Sequence, residues 1–181
     1  EPGERKERYT RVINTFGMSE SVLDKKIQRI IKLDQNLSYS TLVKNGVVSV
    51  RTTLCNTDEI KANSILDNIE EEICRELGTY VYSKRDETLE STISEIFTQN
   101  AITLAVAESC TGGLVSNLLT NVKGSSAFFL GGIVSYSNKV KEDLLKVSEK
   151  LIKEFGVISA EVAIAMASGA RERIQADIGL A

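Results

Sequence analysis

The chain has 181 residues, of which 42% are hydrophobic and 26% charged, with a formal net charge of −3; this composition suits a globular protein with a real core and excludes collagen-like and disordered classes. Residues 1 to 85 carry 14 Lys+Arg against 13 Asp+Glu, and residues 86 to 181 carry 8 against 12, so neither half is a basic platform and nucleic acid is not an expected partner. Histidine is absent, and acid/base chemistry falls to lysine, tyrosine, carboxylates or hydroxyls.

Cys55, Cys74 and Cys110 are odd in number and show no CxxC spacing, so no zinc pattern is present, no metal is expected and a reducing cytoplasm is the natural compartment. No apolar run reaches the length of a membrane span, and the first residues, Glu1 to Arg8, are charged rather than signal-like.

A strand is predicted at Arg11 to Thr15. Ser19 or Ser21 can cap a helix whose Leu23, Ile27, Ile30 and Ile31 fall at i, i+4, i+7 and i+8, which is one buried face. Leu37 to Tyr39 and Val47 to Leu54 flank Lys44-Asn45-Gly46, and the Asn-Gly pair predicts a β-hairpin. A second helix is expected from Asp58, capped by Thr57, striped by Ile65, Leu66, Ile69, Ile73 and Leu77, and stopped by Gly78. These elements make a small α+β domain over residues 1–85, ending at the charged run Lys84-Arg85-Asp86-Glu87.

Residues 86–181 read as an α/β domain of three α/β/α layers. A helix holding Leu89, Ile93, Ile96 and Phe97 stops near Asn100, and the apolar run Ile102 to Ala107 suits a central strand covered on both faces. Gly112-Gly113 leads into a helix over Leu114 to Thr120. Ala127 to Ser135 reads as the next strand or strand pair, kinked at Gly131-Gly132. Ser148 caps a helix through Leu151, Ile152 and Phe155 to Gly156, and Ser159 caps an Ala-rich helix with Ala163, Met166, Ala167, Ala170 and Ile174 buried. A final apolar segment, Ile178 to Ala181, is shorter than an ordinary strand, so the sequence reads as truncated there. No internal repeat is present.

Chemistry concentrates between residues 102 and 141. The turn Ser109-Cys110-Thr111-Gly112-Gly113 aims backbone N–H groups and a helix N-terminus at one point, which favours a phosphate or carboxylate, or else is a glycine-mediated βα turn and nothing more. It is neither a Walker loop nor a GxGxxG fingerprint. Glu108 either orients a hydroxyl or sits in a satisfied polar network, and Cys110 reads as a small apolar residue rather than a nucleophile. Ser126 and Lys141 form a second candidate pair, since a serine can be activated by a neutral lysine whose pKa is lowered by burial or by a nearby cation. Tyr136 can support such a pair or simply pack.

The motifs Ala107-Glu108-Ser109-Cys110-Thr111-Gly112-Gly113, Gly124-Ser125-Ser126, Gly131 to Asn138, Lys141 and Gly156-Val157-Ile158-Ser159 closely resemble the C-terminal domain of the bacterial CinA (competence/damage-inducible) family. Gly17-Met18-Ser19-Glu20-Ser21 and Leu77 to Tyr82 resemble that family's middle, KH-like domain. The resemblance implies an amidohydrolase that converts nicotinamide mononucleotide to nicotinic acid mononucleotide and ammonia, without metal or cofactor. It implies Ser126 as nucleophile and Lys141 as proton carrier, assisted by Ser109 and Tyr136, with Ser109 the next candidate nucleophile. Thr111, Gly112, Gly113, Gly124, Ser125 and Asn138 are the implied substrate-binding positions, and the glycine-rich backbone would hold the phosphate.

Two family segments have no counterpart here: a Thr-Gly-Ile-Ala-Gly-Pro-like loop beyond Ala181, and an N-terminal molybdopterin-binding-like domain associated with ADP-ribose pyrophosphatase activity. The chain therefore reads as the middle of a longer protein, expected to be weakly active alone and to self-associate as a dimer. The first domain lacks a GxxG loop and reads as a spacer or dimerisation unit. A non-catalytic nucleotide sensor or competence-related regulator is the alternative function.

Overall fold

The computed structural model describes residues 7–32, 36–55 and 58–181. The chain divides into two compact units, residues 1–89 and 90–181.

The first unit contains β1 (Arg8–Phe16), α1 (Glu20–Ile31), β2 (Leu37–Lys44), β3 (Val47–Cys55), α2 (Glu59–Leu77) and β4 (Val81–Ser83). The strands form an antiparallel sheet in the order β2-β3-β1-β4. Asn45 and Gly46, both at positive φ, join β2 to β3 as a two-residue turn whose twist matches that of the strands. The period of two then buries Val48, Val50, Thr52 and Leu54 of β3. Against this face pack the α1 stripe of Leu23, Ile27, Ile30 and Ile31 and the α2 stripe of Leu66, Ile69, Ile73 and Leu77. Each fully buried aliphatic side chain contributes about 1.5–3 kcal/mol.

The ends differ in detail from the expected ones. Ser19 holds the N-cap position of α1 without a side-chain cap bond, its hydroxyl meeting that of Ser21. Thr57 lies outside the described residues, and the carboxylate of Asp58 caps α2 by accepting from the Lys61 N–H. The first strand is longer than Arg11 to Thr15 because β1 pairs with β3 along its whole length. Buried Asn14 accepts from the Ser49 hydroxyl and donates to the carbonyls of Arg85 at 2.6 Å and Glu87 at 3.4 Å, fastening the segment that leaves the sheet.

The second unit is entered after the first residue of α3 (Leu89–Gln99) and continues through β5 (Leu104–Glu108), α4 (Leu114–Thr120), β6 (Phe129–Val134), α5 (Asn138–Leu145), α6 (Glu149–Phe155), α7 (Ala160–Ile174) and β7 (Ile178–Leu180). Its sheet has the order β6-β5-β7, with both pairings parallel. Every residue of the central strand β5 is buried, as a continuous apolar run predicts for a strand covered on both sides. Leu104 and Val106 meet Leu119 of α4, Phe128 and, from α3, Ile93 and Phe97. Ala105 and Ala107 meet Leu145, Ile152, Val162, Met166 and Ala170, which belong to α5, α6 and α7. Helices thus cover both faces, giving the three α/β/α layers.

The α5–α7 layer packs closely through a missing side chain. A Cβ on Gly169 of α7 would lie 2.0 Å from the Leu145 carbonyl oxygen at the end of α5. The buried face of α7 is rotated from the expected one: Val162, Met166, Gly169 and Ala170 are inside, while Ala163 and Ala167 are only half-buried.

Candidate active site

Strand alternation sends consecutive residues at the carboxyl end of β5 to opposite faces. Glu108 follows Leu104 and Val106 toward α4, and the next residue, Ser109, turns toward α5. Each meets a partner there.

On the α5 side stands Lys141, only 1% exposed. Ser137 caps α5, its hydroxyl accepting from the Val140 N–H, and Lys141 shares the inner face of this helix with Leu145. Lys141 Nζ donates to Ser109 Oγ at 3.0 Å, to the Ser135 carbonyl at 2.7 Å and to the Tyr136 carbonyl at 3.1 Å. Burial pushes the Lys141 pKa below the ordinary lysine value, and Cys110 opposes that shift.

Three acceptors around one nitrogen suit both protonation states. An ammonium donates to all three. A neutral amine keeps two N–H bonds to the backbone carbonyls and turns its lone pair to the Ser109 hydroxyl, which then donates. The fixed carbonyls therefore hold the amine against Ser109, where its neutral form can act as a base.

On the α4 side, Glu108 is 2% exposed. Its carboxylate accepts from the N–H groups of Gly113 (3.0 Å), Val115 (3.0 Å) and Ser116 (2.9 Å), and from the Ser116 hydroxyl (2.6 Å). Burial pushes its pKa up, but bonds from the Ser116 hydroxyl, the Ser116 and Val115 N–H groups and the Thr111 hydroxyl outweigh it and hold the carboxyl at about 2. Glu108 is an anion at any physiological pH.

This corrects the expected phosphate cradle. The donors at the start of α4 are occupied by the protein's own carboxylate. The Gly112 N–H donates to the Ser109 carbonyl, and that of Gly113 to Glu108, so neither glycine has its N–H open to a phosphate. The N–H groups of Cys110 and Thr111, immediately after Ser109, have no acceptor among the described residues.

The pairing of Ser126 with Lys141 is also corrected, by topology. β6 runs parallel to β5 in a register that places Phe129 by Leu104 and Val134 by Glu108. Gly124, Ser125 and Ser126 precede β6, at the amino end of the sheet, whereas Ser109, Tyr136, Asn138 and Lys141 follow the strands at the carboxyl end. At about 3.3 Å per residue the two ends are roughly 16 Å apart. The exposed Ser126 lies on the Ser125–Ala127 3-10 turn and makes no hydrogen bond to Lys141. Tyr136 gives Lys141 its carbonyl, while its side chain is 77% exposed beside the site. Asn138 begins α5.

An antiparallel KH-like unit followed by a three-layer α/β unit, with a buried lysine against a serine hydroxyl at the carboxyl end of the central strand, defines a specific class of two-domain protein. The chain belongs to the CinA family: the CinA C-terminal domain matches residues 86–181, and the damage-inducible protein CinA KH domain matches residues 10–83. It is 34% identical over 172 residues to a CinA-like protein of Dictyoglomus thermophilum, covering 95% of this chain and 42% of that protein. It is 39% identical over 172 residues to a putative competence-damage inducible protein of Caldicellulosiruptor saccharolyticus, again covering 95% of this chain and 42% of that protein. The chain thus spans about two-fifths of the length of these curated relatives. A solved structure of competence/damage inducible protein CihA from Agrobacterium tumefaciens is 40% identical over 49% of this chain and 54% of its own, with a TM-score of 0.48. Among the described residues no helix is long and apolar enough to cross a membrane.

Proposed function

We propose that the second unit hydrolyses the carboxamide of nicotinamide mononucleotide, releasing nicotinic acid mononucleotide and ammonia, with Ser109 as nucleophile and Lys141 as its base. The observation that carries this reading is the 3.0 Å contact between Lys141 Nζ and Ser109 Oγ, made by a fully buried lysine whose other two partners are backbone carbonyls. The substrate comes from the family resemblance; the nucleophile comes from the geometry.

Neutral Lys141 takes the Ser109 proton as Oγ bonds to the carboxamide carbon, and the developing oxyanion meets the N–H groups of Cys110 and Thr111. The C–N bond breaks as Lys141 returns that proton to the departing nitrogen, which leaves as ammonia. Water then attacks the acyl ester, giving a proton to Lys141, and Ser109 leaves carrying it back. The exposed ring of Tyr136 is available to the substrate. With the α4 terminus filled by Glu108, the substrate's phosphate takes its donors elsewhere.

Ammonia release by the intact protein tests this. Ser109→Ala abolishes it, and Ser126→Ala, changed at the far end of the sheet, leaves a measurable rate; the reverse pattern would return the nucleophile to Ser126. Because a protonated Lys141 cannot accept a proton, the rate rises with pH through the lowered Lys141 pKa, and a flat profile across that limb would remove Lys141 as base.

A further inference from the structure

Glu108 touches neither Lys141 nor the reacting hydroxyl, yet it is the most heavily bonded side chain near them. Four hydrogen bonds tie its two oxygens to the start of α4, and its own backbone carbonyl accepts from the Ser135 N–H at 2.7 Å and the Ser135 hydroxyl at 3.3 Å. Residue 108 therefore grips both ends of the apparatus: the helix that follows the Ser109 turn, and the residue whose carbonyl orients Lys141. The surrounding sequence makes room for that grip. A Cβ on Gly132 of β6 would lie 2.2 Å from the Ser116 hydroxyl oxygen, so an alanine there would push away the hydroxyl that Glu108 accepts from.

We infer that Glu108 is a positioning residue of the amidase: its carboxylate, seated on the N–H groups of Gly113, Val115 and Ser116, pins the Ser109–Gly113 turn so that the Ser109 hydroxyl stays on Lys141. The inference rests on the proposed function for its substrate but not for its geometry. A carboxylate is needed because both oxygens accept. A glutamine of the same size offers one acceptor oxygen and turns an NH2 group toward backbone donors, which leaves N–H groups buried without partners. A displacement of about 1 Å at a reacting atom costs roughly 100-fold in rate.

The test uses the intact protein with two readouts, labelling of Ser109 by a fluorophosphonate, followed by peptide mass spectrometry, and ammonia release from nicotinamide mononucleotide. Glu108→Gln is expected to slow Ser109 labelling and kcat together by roughly 100-fold, with KM within about threefold. Ser116→Ala, which removes one of the four bonds, is expected to slow both by only a few fold. A purely structural role would lower the folded fraction by circular dichroism and leave the labelling rate per folded molecule unchanged, and that result overturns the inference. Where Glu108→Gln does not fold, Ser116→Ala and Gly132→Ala decide, and wild-type labelling in both overturns it. A wild type that labels at Ser109 but releases no ammonia defeats the substrate reading alone, because the label reports the hydroxyl itself. No labelling of wild-type Ser109 defeats the inference.

Discussion

The two units bury different things. The first packs branched aliphatics from two helices onto one sheet face, and its buried polar residues, Asn14, Thr15, Thr52 and Ser83, are all uncharged. The second fills its core with smaller groups, Ala105, Ala107 and Ala170 among them, and holds the two buried ionisable side chains found among the described residues, Glu108 and Lys141. Both lie at the carboxyl end of β5. Burying ionisable groups is costly unless each is fully bonded, and the second unit meets that condition for both. The contrast teaches that the first unit keeps ionisable groups out of its core, while the second accepts an expensive interior at one place, the site where we propose that the chemistry occurs.

The largest expected effect breaks the chemistry of the second unit alone. Lys141→Ala removes the proposed base and should lower ammonia release by roughly 1,000-fold or more, while hydrogen exchange of residues 8–83 stays native. Retention of more than a tenth of the wild-type rate would show the buried lysine to be structural.

A core deletion in the first unit is the converse. Ile73 is fully buried in the α2 stripe, so Ile73→Ala should destabilise that unit by about 2–5 kcal/mol, read as lost exchange protection in residues 8–83. Below the unfolding temperature kcat should stay unchanged, and a parallel fall in kcat would join the two regions functionally.

Gly169→Ala sharpens the contrast, since it adds one methyl group where a Cβ meets the Leu145 carbonyl oxygen at 2.0 Å. Overpacking of this kind costs about 1–3 kcal/mol, and because α5 carries Lys141 the same change should lower kcat. Native stability with full activity would mean that α5 shifts freely.

The smallest effect at neutral pH is that of acid on Glu108. Its folded pKa, about 2, lies below the ordinary glutamate value of 4.5, so its stabilisation is fully present above about 4.5 and is lost as pH falls toward 2. Exchange protection of α4 should decline over that window in the wild type and show no such dependence in Glu108→Gln.

Most of the fold was legible because its signals are local. The Leu23-Ile27-Ile30-Ile31 stripe, the Asn45-Gly46 turn and the caps at Ser148 and Ser159 each report on a few neighbouring residues, and each has its counterpart in the structure. The site was legible only in part. The residue strings pair Ser126 with the lysine and give Ser109 an assisting part, because both serines sit in hydroxyl-rich, glycine-flanked stretches; only the parallel register of β5 and β6 shows which of them lies at the lysine's end of the sheet. The role of Glu108 is not legible in sequence because a carboxylate five to eight residues ahead of its donors fits no capping spacing. One missed signal lay in plain view: Lys141 and Leu145 are four apart on a short helix, which puts the lysine on the apolar stripe.

The parallel sheet also sets an order of assembly. β2 and β3 meet across a two-residue turn, whereas β7 joins β5 across a long stretch of chain, with Thr103 and Asp177, 74 residues apart, bonded beside that pairing. Contacts so distant in sequence repay their loop-closure entropy late. During synthesis the amino-terminal hairpin has its partners at once, but β5 emerges long before β7 and α7, the elements that will cover it. Until they arrive, a nascent chain exposes the strand whose every residue is buried in the folded unit, and such transient exposure is what chaperones act on.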